Sequence, residues 1–393
     1  MQVLYSFVRP ICDSPSPPAP LYISMLLECK GLCYSIFQCL VMGPLKVISY
    51  NVKGLNSPMK RKKTLNQLKG AHCQIAFLQE THLSDIEHDK LKKSWADKTF
   101  YSSHKSGRKR GVTILVHRNV NFTPTNIQKD SEGRFVLVTG SIDGIQVSLM
   151  NIYAPNEDEP SFITTIFAII LQHASGILLM GGDFNCVMSQ HLDRKPPSKT
   201  PISRMSKILK HLSSESGLAD VWRTKFPKGR DFTFYSNRHL SYSRIDLFFT
   251  PKAELHRIED VKILPITISD HAPIEVSWNI GHRLTTKQWR LNASLLNDKE
   301  FTTFVIKELN DYLDMNISPE ISPLILWDCA KAYIRGRIIS FASAKKKDRV
   351  ARQRELEHKI VRLERQHKRT LTPNLLKELK QTERFKQSDY GKD

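Results

Sequence analysis

Ile177-Leu178-Leu179-Met180-Gly181-Gly182-Asp183-Phe184-Asn185 is an apolar run that ends in two glycines and two polar side chains. Runs of about four to eight apolar residues closed by glycine or polar residues read as buried strands. Side chains alternate along a strand, so Asp183 and Asn185 leave its end on the same side. The same grammar recurs along the chain. Residues 46–50 lead into Asn51, 75–79 into Glu80, and 147–152 into Tyr153, where Ala154-Pro155-Asn156 turns the chain. Residues 243–245 lead into Asp246, and 263–269 into Asp270 and His271. Helix-like stretches at 57–71, 84–95, 160–174 and 203–216 lie between. This mixture predicts an α/β domain, and its polar strand ends predict one shared rim carrying a binding site.

The 393 residues carry 59 Lys and Arg against 39 Asp and Glu, a net charge of +20. The excess is +11 over residues 44–280 and +8 over 345–393, while 1–43 and 281–344 are nearly neutral. Two separate basic stretches point to a polyanion, most simply nucleic acid. Solubilising charge is the plainer alternative. No run of about 18 uncharged apolar residues occurs, so no membrane partner is expected. Seven cysteines, odd in number and irregular in spacing, argue for reduced thiols rather than a disulfide framework.

The boundaries expected are a disordered extension over 1–43, an α/β domain over 44–280, a helical linker region over 281–344 and a basic helical tail over 345–393. In the tail, Leu356, Ile360 and Leu363 form one apolar stripe on a basic helix. Thr372-Pro373 stops that helix, and a second follows with Leu375, Leu376 and Leu379.

Phosphodiester hydrolysis needs charge neutralised on the phosphate, water deprotonated, and donors around the reacting centre. Glu80 is a hard oxygen ligand suited to Mg²⁺. Asp183 can accept a proton from water while Asn185 donates to a phosphate oxygen. His271 can pair with Asp246, which fixes its tautomer and keeps it charged, and Tyr153 can donate its hydroxyl. Taken singly these residues have plainer readings: a solvated strand end, a turn aspartate, a structural histidine, a packed aromatic. Their joint order favours the chemical reading.

Gln79-Glu80-Thr81-His82, Ile152-Tyr153-Ala154-Pro155-Asn156, Gly182-Asp183-Phe184-Asn185, Ser243-Arg244-Ile245-Asp246 and Ser269-Asp270-His271 resemble the endonuclease/exonuclease/phosphatase superfamily. Asn51–Ser57 and Leu192-Asp193-Arg194 sharpen the likeness to the apurinic-type endonuclease domain of LINE-type retrotransposon second-frame proteins, which are exonuclease III-like. Residues 289–349 resemble the segment that follows that domain. The resemblance implies a four-layered α/β sandwich, two packed mixed sheets flanked by helices, before the helical basic C-terminal segment. It makes Glu80 the principal metal ligand with Asn51 and Asp270 close by, Asp183 the water activator and Asn185 the phosphate holder. His271 with Asp246 would stabilise the transition state, assisted by Tyr153. Arg194, Thr233, Ser243 and Asn156 would contact DNA, and Ser236–Tyr242 would be a hairpin loop entering a groove.

The function expected is Mg²⁺-dependent nicking of one strand of double-stranded DNA, leaving a 3′-hydroxyl, with Mn²⁺ as a substitute ion. The basic tail would add non-specific grip, RNA included, the alternative being an exposed tail with no partner. No Tyr/Phe-Ala-Asp-Asp motif of a reverse transcriptase occurs, so a retrotransposon-derived chain that nicks without copying RNA is expected, in the nucleus. An apurinic endonuclease or 3′–5′ exonuclease would use the same residues. A phosphatase would not need the positive excess. A catalytically silent remnant that only binds nucleic acid is the rival from another class. No oligomer is implied.

Overall fold

A computed structural model describes residues 41–91, 95–105, 109–198, 200–281, 283–284, 291–318 and 321–389. All but the last three residues of the expected N-terminal extension lie outside the described residues. In chain order the strands that matter begin with β1 (Leu45–Asn51), β2 (Ile75–Gln79), β3 (Ala96–Ser102), β4 (Val112–His117) and β5 (Phe122–Lys129). Next come β6 (Phe135–Ile142), β7 (Ile145–Tyr153), β8 (Ile177–Asp183), β9 (Arg194–Lys195) and β10 (Leu218–Asp220). The last five are β11 (Phe234–Ser236), β12 (Ser241–Ser243), β13 (Asp246–Pro251), β14 (Ile258–Ile263) and β15 (Ile274–Trp278).

Two six-stranded mixed sheets form, ordered β14-β15-β1-β2-β4-β3 and β10-β13-β8-β7-β6-β5. Each has one parallel pair, β1 with β2 and β7 with β8. Parallel neighbours end at the same edge, so these pairs bring four strand ends to one rim. The sheets pack face to face through Val47, Phe77, Ile114, Val138, Leu149, Leu179 and Phe248. Alternation sends the next residues outward. Ile48 and Leu78 meet Leu68 of helix α1 (Pro58–Gly70). Met150 and Met180 meet Ile166 and Leu209 of α3 (Pro160–His173) and α4 (Arg204–Glu215). The result is the expected helix–sheet–sheet–helix sandwich.

Three of the four expected helices are present, and local chemistry starts them. Ser57 and Ser203 cap α1 and α4 by accepting the Lys60 and Ser206 amides, and Pro160 opens α3, as helix starts favour. The fourth expectation, 84–95, shrinks to the five-residue α2 (Asp85–Asp89). There His88 turns inward, fully buried, with its ring nitrogens on Thr81 Oγ1 (2.9 Å) and the Ser84 carbonyl (3.1 Å).

Residues 39–286 and 355–393 form one compact unit, which also holds the short helix α5 (Val221–Lys225). The other unit's described part is 291–318 and 321–354. In that second unit α6 (Lys299–Asn316) packs Phe301 and Val305 against Ile334, and Glu308 holds Arg337. Helix α7 (Pro323–Thr370) runs unbroken across the expected division at 344/345, because no glycine or proline stands between Gly336 and Pro373. It ends three residues before Pro373, where α8 (Pro373–Asp389) starts.

The C-terminal hairpin is not a free tail. Ile360 and Leu363 pack on Leu379 and Leu375, using the apolar stripe. Leu371 and Leu376 pack on Phe232, Tyr235 and Tyr242 of the sandwich. The Tyr242 hydroxyl meets His367 Nδ1 at 2.7 Å.

Candidate active site

The rim assembles from both sheets. Asn51 ends β1 and faces Gln79 in register, so Glu80 lies one residue beyond it. Tyr153 ends β7 opposite Asp183 at the end of β8, and Asp246 opens β13 opposite the same Asp183. The glycines before Asp183 make this possible. Gly182 has φ +143, and a Cβ there would lie 2.0 Å from the Ile152 carbonyl oxygen.

Asn51 joins the sheets. Its Nδ2 donates to Glu80 Oε1 at 3.0 Å and to Asp183 Oδ2 at 2.9 Å, while its Oδ1 accepts from the Lys53 amide. Behind it Gln79 donates to Asn151 Oδ1 (2.7 Å), and Asn151 donates to the Leu78 and Thr113 carbonyls. The Asn151 amide is bonded at both ends and fixes the floor of the site, while Gln79 Oε1 is buried without a partner.

His271 Nδ1 meets Asp246 Oδ2 at 2.9 Å, and its Nε2 lies 3.9 Å from Asp183 Oδ2. Asp183, Asp246 and His271 are all buried. Burial opposes charge on the imidazole, but Asp246 and Asp183 outweigh it and hold His271 protonated up to about 10. Burial and the neighbouring Asp246 raise the Asp183 carboxyl to about 7. Burial would raise Glu80 too, yet hydrogen bonds from His82, Asn51 and Tyr153 bring it down to about 2. Burial and the nearby carboxylates push the Tyr153 phenol above its ordinary value, so it stays a donor. One rim thus holds a permanent carboxylate, a carboxyl poised near neutrality and an imidazolium.

The remaining expected residues take varied places. Asn185, at φ 49, gives its amide N–H to Asp183 Oδ1 and its side chain to the Ala154 carbonyl. Asp270 is held by Lys53 Nζ at 2.6 Å. Thr233 has no exposed surface; its hydroxyl accepts the Ile245 and Asp246 amides, each at 3.1 Å. It braces Asp246 from below instead of reaching DNA. Arg194 and Ser243 pair across β9 and β12, half-buried, and Asn156 is exposed on its turn. The expected hairpin loop exists, with exposed Asn237–Leu240 between β11 and β12.

Four contacts escaped the sequence. Lys53 and His82 lie inside quoted motifs, but a motif does not say which side chains turn inward; His82 Nε2 stands 3.5 Å from Glu80 Oε2. The Phe234 ring lies tilted against His271 at 4.7 Å, and Arg134 lies over the Tyr153 ring at 6.0 Å. Neither carries a sequence signal, because each arrives from a distant segment of the chain.

The site offers room for a cation. Glu80 stays charged, Asp246 Oδ1 is buried with no hydrogen-bond partner, and single ligand atoms of Asp183, Asp246 and His271 lie within 4.8 Å of one another. Hard oxygen donors of this kind suit a divalent ion. His271 flanked by two carboxylates is better placed as a charged donor than as a ligand. The Asn51 nitrogen, not its oxygen, faces the two carboxylates.

Residues 48–271 match the endonuclease/exonuclease/phosphatase family. The chain belongs to this family. Over 269 residues it is 28% identical to the Transposon TX1 uncharacterized 149 kDa protein of Xenopus laevis, covering 66% of this chain but 20% of that protein. It is 24% identical to an exodeoxyribonuclease of Bacillus subtilis, covering 60% of this chain and all of the relative. The chain therefore spans a fifth of the first relative and the full length of the second. An AP endonuclease from Archaeoglobus fulgidus superposes with a TM-score of 0.50 at 20% identity, over 60% of this chain and 100% of that one, which is a likeness of fold. Family membership, a transposon-protein relative and an exodeoxyribonuclease relative matched over its full length agree with the resemblance read from the motifs. Among the described residues no helix is long and apolar enough to cross a membrane.

Proposed function

We propose that the chain is a Mg²⁺-dependent endonuclease that nicks one strand of double-stranded DNA and leaves a 3′-hydroxyl. The observation that carries this reading is one rim where Asn51 bridges Glu80 and Asp183 and His271 Nε2 lies 3.9 Å from the same Asp183. Glu80 would hold the divalent ion, with Asp270 as a further oxygen donor nearby. Such an ion, when bound, neutralises charge on the phosphate and on the leaving oxygen.

The chain's own residues do the rest. Asp183, titrating near neutrality, takes the proton of the attacking water, since a base works best with a pKa near the operating pH. The imidazolium of His271, oriented by Asp246, donates from Nε2 to a phosphate oxygen as charge develops there. Tyr153 and the second N–H of the Asn185 amide are donors on the same side. The +11 charge of residues 44–280 draws the polyanion to the rim, with an affinity that falls steeply with salt.

Nicking of supercoiled plasmid by the full chain tests this. Open circles should appear with Mg²⁺, vanish with EDTA, and vanish in Asp183→Asn and His271→Ala. A folded protein that binds plasmid yet leaves it closed with Mg²⁺ and Mn²⁺ would sink the nuclease reading. Faster cleavage of abasic duplex or stepwise loss of 3′ nucleotides would shift it to a repair endonuclease or exonuclease.

A further inference from the structure

Within the sandwich unit, the last turns of α7 and the segment Arg230–Phe232 enclose a cleft of about 360 Å³ that the chemistry above does not use. Lys195, Arg230, Arg365, Lys368 and Arg369 line it against Asp231 and Glu364, leaving three positive charges in excess. Two of the cations are engaged internally. Lys368 holds Asp231 at 2.5 Å and Glu364 at 3.3 Å, and Lys195 Nζ donates to the Arg369 carbonyl at 2.9 Å. Arg230 gives one donor to the Arg194 carbonyl. The guanidinium groups of Arg365 and Arg369 carry no hydrogen bond or ion pair among the described residues. Burial also pushes the Glu364 carboxyl above its ordinary range, which deepens the excess of positive charge.

The cleft leads to the rim along one short segment. Phe232 lines it, Thr233 holds the amide of Asp246, and Phe234 packs its ring against His271. Even at the full extension of roughly 3.3 Å per residue, Phe232 and Phe234 are no more than about 7 Å apart. That is about two steps of the ~3.4 Å rise per nucleotide of a DNA strand.

We propose that this cleft is a phosphate subsite for the DNA strand cut at the rim, with Arg365 and Arg369 as its donors. The planar forks of two unpaired guanidinium groups match phosphate oxygens. Helix α7 thereby extends the nuclease's DNA track beyond residues 48–271. The choice of DNA as the strand rests on the nuclease reading; the phosphate chemistry does not.

The test uses the full chain and the double variant Arg365→Gln/Arg369→Gln, both positions lying exposed on the helix. Its controls are Arg365→Lys/Arg369→Lys, which keeps the charge, and Arg362→Gln/Arg384→Gln, which removes two exposed charges outside the cleft. Duplex binding is read by fluorescence anisotropy between about 50 and 200 mM salt, and plasmid nicking as KM and kcat. The glutamine variant should bind duplex about ten-fold more weakly, with a salt slope shallower by about one to two. KM should rise while kcat holds, the lysine variant should recover most of the loss, and the outside control should move little. Unchanged affinity and slope overturn the subsite, as does an equal loss in the outside control. A loss confined to single-stranded RNA overturns the DNA assignment. A wild type that binds duplex through these arginines but never nicks would sink the nuclease reading and leave the subsite standing.

Discussion

Asn51 donates to Asp183 across 2.9 Å, joining residues 132 positions apart and the two sheets of the sandwich. The same amide reaches Glu80 at 3.0 Å, so one neutral side chain separates two carboxylates that would otherwise repel. Asn51→Ala should therefore lower nicking by about 10²–10³-fold, the usual cost of one lost preorganised donor. Single-turnover nicking by a variant with native circular dichroism checks this. A rate close to wild type would remove Asn51 from the machinery.

The rate should depend on pH through two groups of opposite demand. Asp183 must lose its proton to act, so kcat/KM should rise as pH passes through about 7. His271 must keep its proton, so the rate should fall as pH passes through about 10. Asp246→Asn removes the charge that raises both, and both limbs should move to lower pH. Initial nicking rates across that range decide it, and an Asp246→Asn profile that keeps the wild-type limbs would break the assignment.

Arg244 is buried without exposure, yet it is an ionic centre. Its Nε meets Asp193 Oδ1 at 2.8 Å and its Nη2 meets Asp220 Oδ2 at 2.7 Å, with Trp222 against the guanidinium at 5.2 Å. Removing Arg244 leaves Asp220 without its cation and Asp193 to Arg223 alone, so Arg244→Ala should cost about 3–5 kcal/mol in denaturant unfolding. Arg244→Lys should recover little, because one ammonium cannot span both acids. A loss of less than about 1 kcal/mol would show the network to be dispensable.

The C-terminal hairpin should loosen as pH rises. In the folded chain Glu383 holds its proton up to about 8, because of burial and then Glu364, against an ordinary 4.5. Between those values the folded state binds more protons than the unfolded one, so stability declines as pH climbs through the window. The contribution is complete below pH 4.5 and lost above about 8. Denaturant midpoints should fall from acid to alkaline pH across this window, and Glu383→Gln should flatten the fall. An identical slope in that variant would sink the account.

Cutting the chain after residue 354 should expose Phe232, Tyr235 and Tyr242, which Leu371 and Leu376 now cover. The shortened protein should melt at lower temperature and bind an apolar dye that the full chain excludes. Tyr242→Phe, which removes only the hydroxyl facing His367, should cost about 1 kcal/mol. A truncated chain with an unchanged melting temperature would mean the hairpin contributes nothing to the sandwich.

Much of this was legible in order alone. Period-two alternation and abrupt polar ends mark β1, β2, β7 and β8, because a two-faced strand must spend its length on apolar residues and can place chemistry only at its end. Asn51, Glu80, Tyr153 and Asp183 follow from that grammar, whereas the strand expected over 263–269 stops at Ile263, leaving His271 on a loop, and Asp246 opens its strand instead of closing one. Tertiary structure decided what each faces. The parallel pairing of β1 with β2 and of β7 with β8, then the stacking of the sheets, gathers four strand ends, the start of β13 and the loop carrying His271 into one charged rim. It also buries Thr233 beneath Asp246, gives Lys53 to Asp270, and folds a basic stretch that reads as a tail against Tyr242. Local sequence sets propensity and period through interactions a few residues long. Hydrogen bonds such as Asn51–Asp183 and Tyr242–His367 join residues more than a hundred positions apart, and only the packed chain selects those partners.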